Sequence, residues 1–181
     1  IGTTGIVEPK ALEAHQTSLA LELNVLRAQG HTQAVLVLGY VGEKYAQEIL
    51  KIKKDIIVKI GDHVGFMLEQ CMKMGFKKVL LIGHVGKMIK LAGGQFDTHC
   101  RFGDRRIFLM AQYARAGGAD EKTVRKILKQ TTAEATAAII EKGPDADIDG
   151  LLGMSFLGKF LVKIDSSGNK SYGSKPIIIS Y

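Results

Sequence analysis

Between Val79 and Arg106 the chain reads VLLIGHVGKMIKLAGGQFDTHCRFGDRR, and groups able to do chemistry are crowded into it. His84, Lys87 and Lys90 recur at the spacing that places side chains on one face of a helix. Beyond Gly93-Gly94 come Asp97, Thr98, His99 and Cys100, then Asp104, Arg105 and Arg106. A core has little use for so many donors and acceptors, because each needs a partner once buried. The apolar run Val79–Ile82 stops at Gly83, and a buried strand that opens onto polar groups is how an α/β sheet presents a binding crevice. A helix starting near His84 offers free N–H donors and favours an anionic group. His84, Lys87, Thr98 and His99 are therefore expected to converge on one pocket with Gly83 and Gly86.

Several familiar chemistries fail on spacing. Gly83-His-Val-Gly-Lys87 is too short for a phosphate loop, and Met88 stands where Ser or Thr would bind magnesium. No G-x-G-x-x-G follows a strand, and no G-x-S-x-G elbow supplies a serine nucleophile. His84, Asp97, His99 and Cys100 match no closed zinc site, so no metal site is expected.

The elements that must position these groups repeat. Ala34–Leu38 runs into Gly39, Tyr40, Val41, Gly42 and Glu43; Ile56–Ile60 into Gly61, Asp62, His63, Val64 and Gly65; Val79–Ile82 into Gly83, His84, Val85, Gly86 and Lys87. The leading glycines are 22 residues apart each time (61 − 39 and 83 − 61). That period fits a strand, a tight turn and a helix of about ten residues. Three βα units of one parallel sheet with right-handed crossovers follow, their leading glycines at one edge. The second glycine of each unit falls where a helix begins and lets backbone approach a ligand closely. Tight turns and close packing are the competing use of these glycines.

Around these units, Lys10–Gln29 reads as a helix with Leu12, Leu19, Leu23 and Leu26 on one side and Gly30 at its end. Asp104–Ala116 reads as a helix, Asp120 caps another over Glu121–Lys129, and Thr131 or Thr132 starts one through Lys142. Gly2–Pro9 reads as a loop or short strand, and Gly143-Pro144 closes the helical region. From Asp145 the texture changes to alternating apolar residues and Gly/Ser-rich turns ending in IIISY, a β-hairpin appendage with few contacts to the body. Residues 1–143 are thus expected to form the α/β domain, and 144–181 a divergent β-rich tail.

A chain of 181 residues with 46% hydrophobic content can bury a real core. It shows no membrane-length apolar run and no signal peptide. Cys71 and Cys100 lack metal-type spacing, which fits a reducing, cytoplasmic setting. The first residue is Ile1 rather than Met, so a preceding part is expected. The net charge of +7 and pI near 9.4 point to an anionic partner. Sparse aromatics, no Trp and no nucleic-acid signature argue against nucleic acid, which is kept only as an alternative.

GTTGIVEP at 2–9, LELNVLRAQG at 21–30, Gly42-Glu43-Lys44-Tyr45-Ala46, VGFMLEQ at 64–70 and above all LLIGHVGKMIKLAGGQFDTH at 80–99 go further. Together they resemble the cobalt-precorrin-5B (C-1)-methyltransferase family of anaerobic cobalamin biosynthesis, in its C-terminal, Rossmann-like half. The resemblance continues through AQYARAGGAD to about residue 142. It implies methylation of a cobalt-containing tetrapyrrole polycarboxylate at ring carbon 1, with S-adenosylmethionine as donor. His84 and His99, at motif positions that the resemblance identifies, are expected to be catalytic. Donor binding is expected at Gly39, Gly42, Gly83 and Gly86, with Glu43 or Asp62 accepting from ribose hydroxyls. Lys87, Lys90, Thr98 and Arg105, beside Arg101 and Arg106, suit the substrate's carboxylates. Methyl transfer needs alignment of donor and nucleophile more than an acid–base pair.

The sequence departs from the family in three respects. The family's N-terminal α+β domain is absent and becomes an implied partner. Leu38–Gly42 and Gly61-Asp62-His63 replace the usual Pro-Gly-Asn-Tyr-Gly and Ser-Asn-Phe turns, and Cys100 replaces a common Ser. The tail DGLLGMSFLGKFLVKID resembles the end of a retropepsin-like domain, without any Asp-Thr-Gly or Asp-Ser-Gly triplet. The alternative function is a non-catalytic module that binds the corrinoid or the donor.

Overall fold

The computed structural model of the chain describes residues 12–141 and three short tail strands at 163–164, 170–171 and 178–180. The expected N-terminal loop at 2–9, the helix stop at Gly143-Pro144 and the alternating stretch 149–162 lie outside the described residues. The order is α1 (Leu12–Ala28), β1 (Gln33–Val37), α2 (Tyr40–Glu48), β2 (Ile57–Lys59), α3 (Val64–Lys73), β3 (Lys78–Gly83) and α4 (Val85–Ala92). Then follow α5 (Arg106–Ala116), α6 (Glu121–Leu128), α7 (Ala133–Glu141), β4 (Lys163–Ile164), β5 (Lys170–Ser171) and β6 (Ile178–Ser180).

The three βα units form the expected parallel sheet. β1 lies between β2 and β3, with Val37 opposite both Lys59 and Ile82. Gly39, Gly61 and Gly83 therefore sit at one edge. β1 alternates with period two. Ala34, Leu36 and Leu38 enter the core lined by Leu19, Leu23 and Leu26 of α1 and Val64, Met67 and Cys71 of α3. Val35 and Val37 face the other way, with Ala46 of α2 and Ile82. Helices on opposite faces follow from right-handed crossovers leading to β2 on one side of β1 and β3 on the other.

Helix α4 joins this body to a helical layer. Met88 and Leu91 belong to the sheet core, while Ile89 enters a second core with Met110, Ala114, Val124, Ile127 and Ile140. The Asp120 side chain accepts from the Thr123 N–H at 2.7 Å and fixes the start of α6.

The tail differs from the expectation of an appendage with few contacts to the body, because β4 contacts β3 and β6 pairs with it. β4 and β5 pair antiparallel, as a hairpin appendage would. β6, expected in the same appendage, instead extends the main sheet, parallel to β3, with Leu81 opposite Ile178 and Gly83 opposite Ser180. The physical reason is the outer edge of β3, a row of backbone donors and acceptors that a β-branched Ile-Ile-Ile segment can pair.

Candidate functional site

Strand order β2-β1-β3 puts a topological switch between β1 and β3. The chain leaves the end of β1 toward one face of the sheet and the end of β3 toward the other. Crevices for ligands open at such points. Across this switch point reaches Lys87, from the first turn of α4. Its Nζ donates to the Leu38 carbonyl at the end of β1 at 3.0 Å. It also lies 3.1 Å from Asp62 Oδ1, in the loop after β2. One ammonium thus links all three strand-end loops.

Asp62 is the second node. Its Oδ1 accepts from Thr98 Oγ1 at 2.5 Å, and its carbonyl accepts from the Thr98 N–H at 3.1 Å. Burial alone would raise this carboxyl. Hydrogen bonds from Thr98 and Lys87, with the charge of Lys87 and the nearby His99, outweigh burial and hold it below the usual aspartate range. The segment before Thr98 is fastened to the same loop: His63 and Asp97 form an antiparallel bridge, and Gly65 N–H donates to the Phe96 carbonyl at 3.0 Å. Lys90, 94% buried, adds a tie from beneath, its Nζ donating to the Thr98 carbonyl at 2.8 Å. The segment 96–98 is therefore fastened to the loop after β2 and to α4.

The structure brings Asp62, Lys87, Thr98 and, through its carbonyl, Lys90 into one network, with His99 beside it. His84 points elsewhere. Its Nδ1 accepts the Gly86 N–H at 3.2 Å and caps α4, while Nε2 lies 3.0 Å from Glu134 Oε1 of α7. An accepting Nδ1 places the proton of the neutral ring on Nε2, toward Glu134. Glu134 lies below the usual glutamate range, held there first by its own backbone N–H and, against burial, by His84, Thr132 and Arg106. The His99 Nδ1 accepts the Arg101 N–H at 3.2 Å and lies 3.8 Å from the exposed Cys100 sulfur.

Of the remaining candidates, Glu43 pairs with Lys59, the last residue of β2, at 2.5 Å. Arg105 lies over the Phe108 ring, 5.5 Å from its centre. Gly39 (φ 138°) and Gly61 (φ 59°) are the left-handed turns that L side chains resist, and a Cβ on either would meet open space. The second glycines, and the leading Gly83, serve packing instead. A Cβ at Gly42 would lie 2.8 Å from the Ile82 carbonyl, so Gly42 seats α2 on β3. At Gly86 it would lie 3.1 Å from the Arg106 guanidinium, and at Gly83 3.1 Å from Leu38 and Met88. Arg106 is itself clasped by Asp104 at 2.8 and 2.6 Å, and that guanidinium draws the Asp104 carboxyl down to about 2.

Glu134 and the Leu38 carbonyl are the site groups that sequence reading misses. A carbonyl carries no sequence signal, and Glu134 reads only as an acidic residue in a helix first turn. Cys71 is the expected core cysteine, fully buried, its thiol pushed up to about 12 by burial. Among the described residues no group of three or more His, Cys, Asp or Glu could hold a metal ion, and no helix is long and apolar enough to cross a membrane.

The C-terminal domain described for the CbiD family matches residues 97–154. A cobalt-precorrin-5B C(1)-methyltransferase of Thermoanaerobacter sp. (strain X514) is 44% identical over 142 residues, 78% of this chain and 38% of that protein. The protein of that name from Methanocaldococcus jannaschii is 36% identical over 181 aligned residues, 99% of this chain and 49% of its own length. The one from Alkaliphilus metalliredigens is 42% identical over 146 residues, 80% of this chain and 39% of its own. The chain spans half or less of the length of these curated relatives. The alignment with the Methanocaldococcus jannaschii protein takes in the tail, which the sequence sets apart from the family. No solved structure matches the chain.

Proposed function

We propose that this chain, which belongs to the CbiD family, provides the crevice-bearing part of an enzyme that methylates cobalt-precorrin-5B at carbon 1 in cobalamin biosynthesis, in the cytoplasm. The observation that carries the reading is its likeness to the methyltransferases named above. The geometry agrees with it. A crevice at the switch point, edged by glycine turns and crossed by a lysine, suits a small donor beside a large anionic substrate.

S-Adenosylmethionine, as donor, would supply an electrophilic methyl group on a sulfonium. The open turns at Gly39 and Gly61 leave room for close backbone approach, which fits such a ligand. Gly83 and Gly86 contribute by bringing the start of α4 close. Asp62 Oδ1 is already committed to Thr98 and Lys87, so a ribose hydroxyl would fall to Asp62 Oδ2 or to Glu43. Lys87 supplies the charge that meets a substrate carboxylate, and Thr98 holds the acid that keeps Lys87 in place. His99 faces solvent beside this network and is the better placed of the two histidines to touch substrate. His84, with both ring nitrogens engaged, orients α4. The remaining part of a full-length family protein is the implied partner.

Calorimetry on the 181-residue chain tests the reading with S-adenosylhomocysteine, uroporphyrin III (a flat tetrapyrrole polycarboxylate) and a random oligonucleotide. The first two are expected to bind. K87A is expected to weaken porphyrin binding by about 1.5–3 kcal/mol, the scale of a charge-assisted hydrogen bond. Binding of the oligonucleotide alone would replace the reading with a nucleic-acid function.

A further inference from the structure

Among the described residues, the exposed phenylalanines fall in one segment. Of the phenylalanines among the described residues, Phe76 is buried and Phe66 packs against the sheet core. Phe96, Phe102 and Phe108 are instead 43%, 54% and 46% exposed. Phe96 directly precedes the polar string Asp97–Cys100, Phe102 follows it, and Phe108 lies in the first turn of α5. Exposed phenylalanines grouped in this way mark a contact surface, whereas scattered ones need no explanation.

Two of them carry an arginine. The Arg101 guanidinium lies over the Phe102 ring, 4.6 Å from its centre, and Arg105 over Phe108 at 5.5 Å. Stacking holds a planar guanidinium in place while its edge remains able to donate. Arg101 also donates to Asp97 at 3.3 Å, and Asp97 is bridged to His63 beside Asp62. The Phe102 end of the segment is thus pinned to the crevice wall. Arg105 has no carboxylate or carbonyl acceptor among the described residues.

We propose that Phe102 and Phe108, with Arg101 and Arg105, form a docking surface for the flat face and peripheral carboxylates of a tetrapyrrole. This rests on the substrate reading above and adds the residues that would hold the macrocycle outside the crevice. Phenylalanine faces offer stacking area to a flat ring, and the stacked guanidiniums meet its carboxylates bidentately. A long flexible polyanion would use the same charges but gain nothing from the rings. Charge complementarity and aromatic area together select the flat polycarboxylate.

The full 181-residue chain is titrated with uroporphyrin III and, for comparison, with an oligoglutamate, using F102A, F108A, F102Y, R105Q and K87A. Because these aromatic positions are exposed, melting temperatures are expected to stay near wild type. F102A and F108A are each expected to raise the Kd for the porphyrin by about fivefold, from lost stacking. They should leave oligoglutamate binding unchanged, and F102Y should restore the porphyrin affinity. R105Q is expected to raise the porphyrin Kd by about tenfold, from one lost charge-assisted contact. Porphyrin binding that falls in K87A but is unchanged in F102A, F108A and R105Q would overturn this surface and leave the substrate reading standing. No porphyrin binding by the wild-type chain would overturn both. Unchanged porphyrin affinity with loss of binding to the other half of a full-length family protein would assign the surface to that half instead.

Discussion

At the scale of single residues, Lys87 and Asp62 set the chemistry of the crevice, and each has a structural and a binding use. Lys87 holds the end of β1 and the loop after β2 together and places a half-buried charge at the switch point. Asp62 has a carboxyl held below its ordinary value of 3.8 by Thr98 and Lys87, in spite of burial. A carboxylate whose pKa is lowered in the folded state contributes stability that is fully present above the unfolded value and is lost as pH falls through the folded one. Wild-type protein is therefore expected to lose melting temperature as pH drops below about 4, the ordinary aspartate range. D62N, which cannot ionise, is expected to be less stable than wild type at neutral pH and to show a shallower loss over the same window. Melts from neutral pH down to the acid limit would check this. Parallel curves for the two proteins would mean that Asp62 is not a coupled group.

At the scale of elements, the three βα turns share a sequence pattern but divide the work. Gly39 and Gly61 turn the chain, whereas Gly83, Gly42, Gly65 and Gly86 allow close packing. Gly42 is the sharpest case, because a Cβ there would press on the Ile82 carbonyl, a backbone atom that cannot swing aside. G42A is expected to lower stability by about 1–3 kcal/mol, the cost of overpacking a tight contact. K44A, on the exposed side of the same helix, removes only a surface pair to Glu48 and is expected to change stability by less than about 0.5 kcal/mol. Denaturant titrations of the two variants check the pair. Equal stability of G42A and wild type would show that α2 does not sit on β3 this closely. Helix α4 has a different fastening, since His84 caps it from within and Glu134 holds the cap from α7.

At the scale of the whole molecule, α4 is the hinge between two cores. It sends Met88 and Leu91 into the sheet core and Ile89 into the helical one. A helix embedded in both leaves little surface along which they could part, so the described body is expected to unfold in a single calorimetric transition. Met110 is fully buried in the helical core, and M110A is expected to cost about 2–5 kcal/mol. The same single transition should move to lower temperature. Two separated transitions, with only one shifted by M110A, would show that the layers fold independently.

Much of this molecule was legible in the sequence because it is written in local patterns. The 22-residue spacing of Gly39, Gly61 and Gly83 fixes three strand–turn–helix units. The period-two run of β1 gives it two buried faces, and Gly30, Asp120 and the Gly93-Gly94 break mark helix ends within a residue or two. The Gly93-Gly94 break implies that the polar string Asp97–Cys100 returns toward the strand ends, and Thr98 does bond the loop after β2. What the sequence could not supply are contacts that form only when distant segments meet. Lys87 donates to Leu38 across 49 positions and Thr98 to Asp62 across 36. His84 is turned away from the Asp62 network by Glu134, a residue of another layer, and β6 joins β3 rather than the tail hairpin. Short-range periodicity is dictated by backbone geometry and repeats along the chain. The partner of a lysine, the tilt of an imidazole ring and the occupant of a strand edge are decided by which surfaces the folded layers bring together.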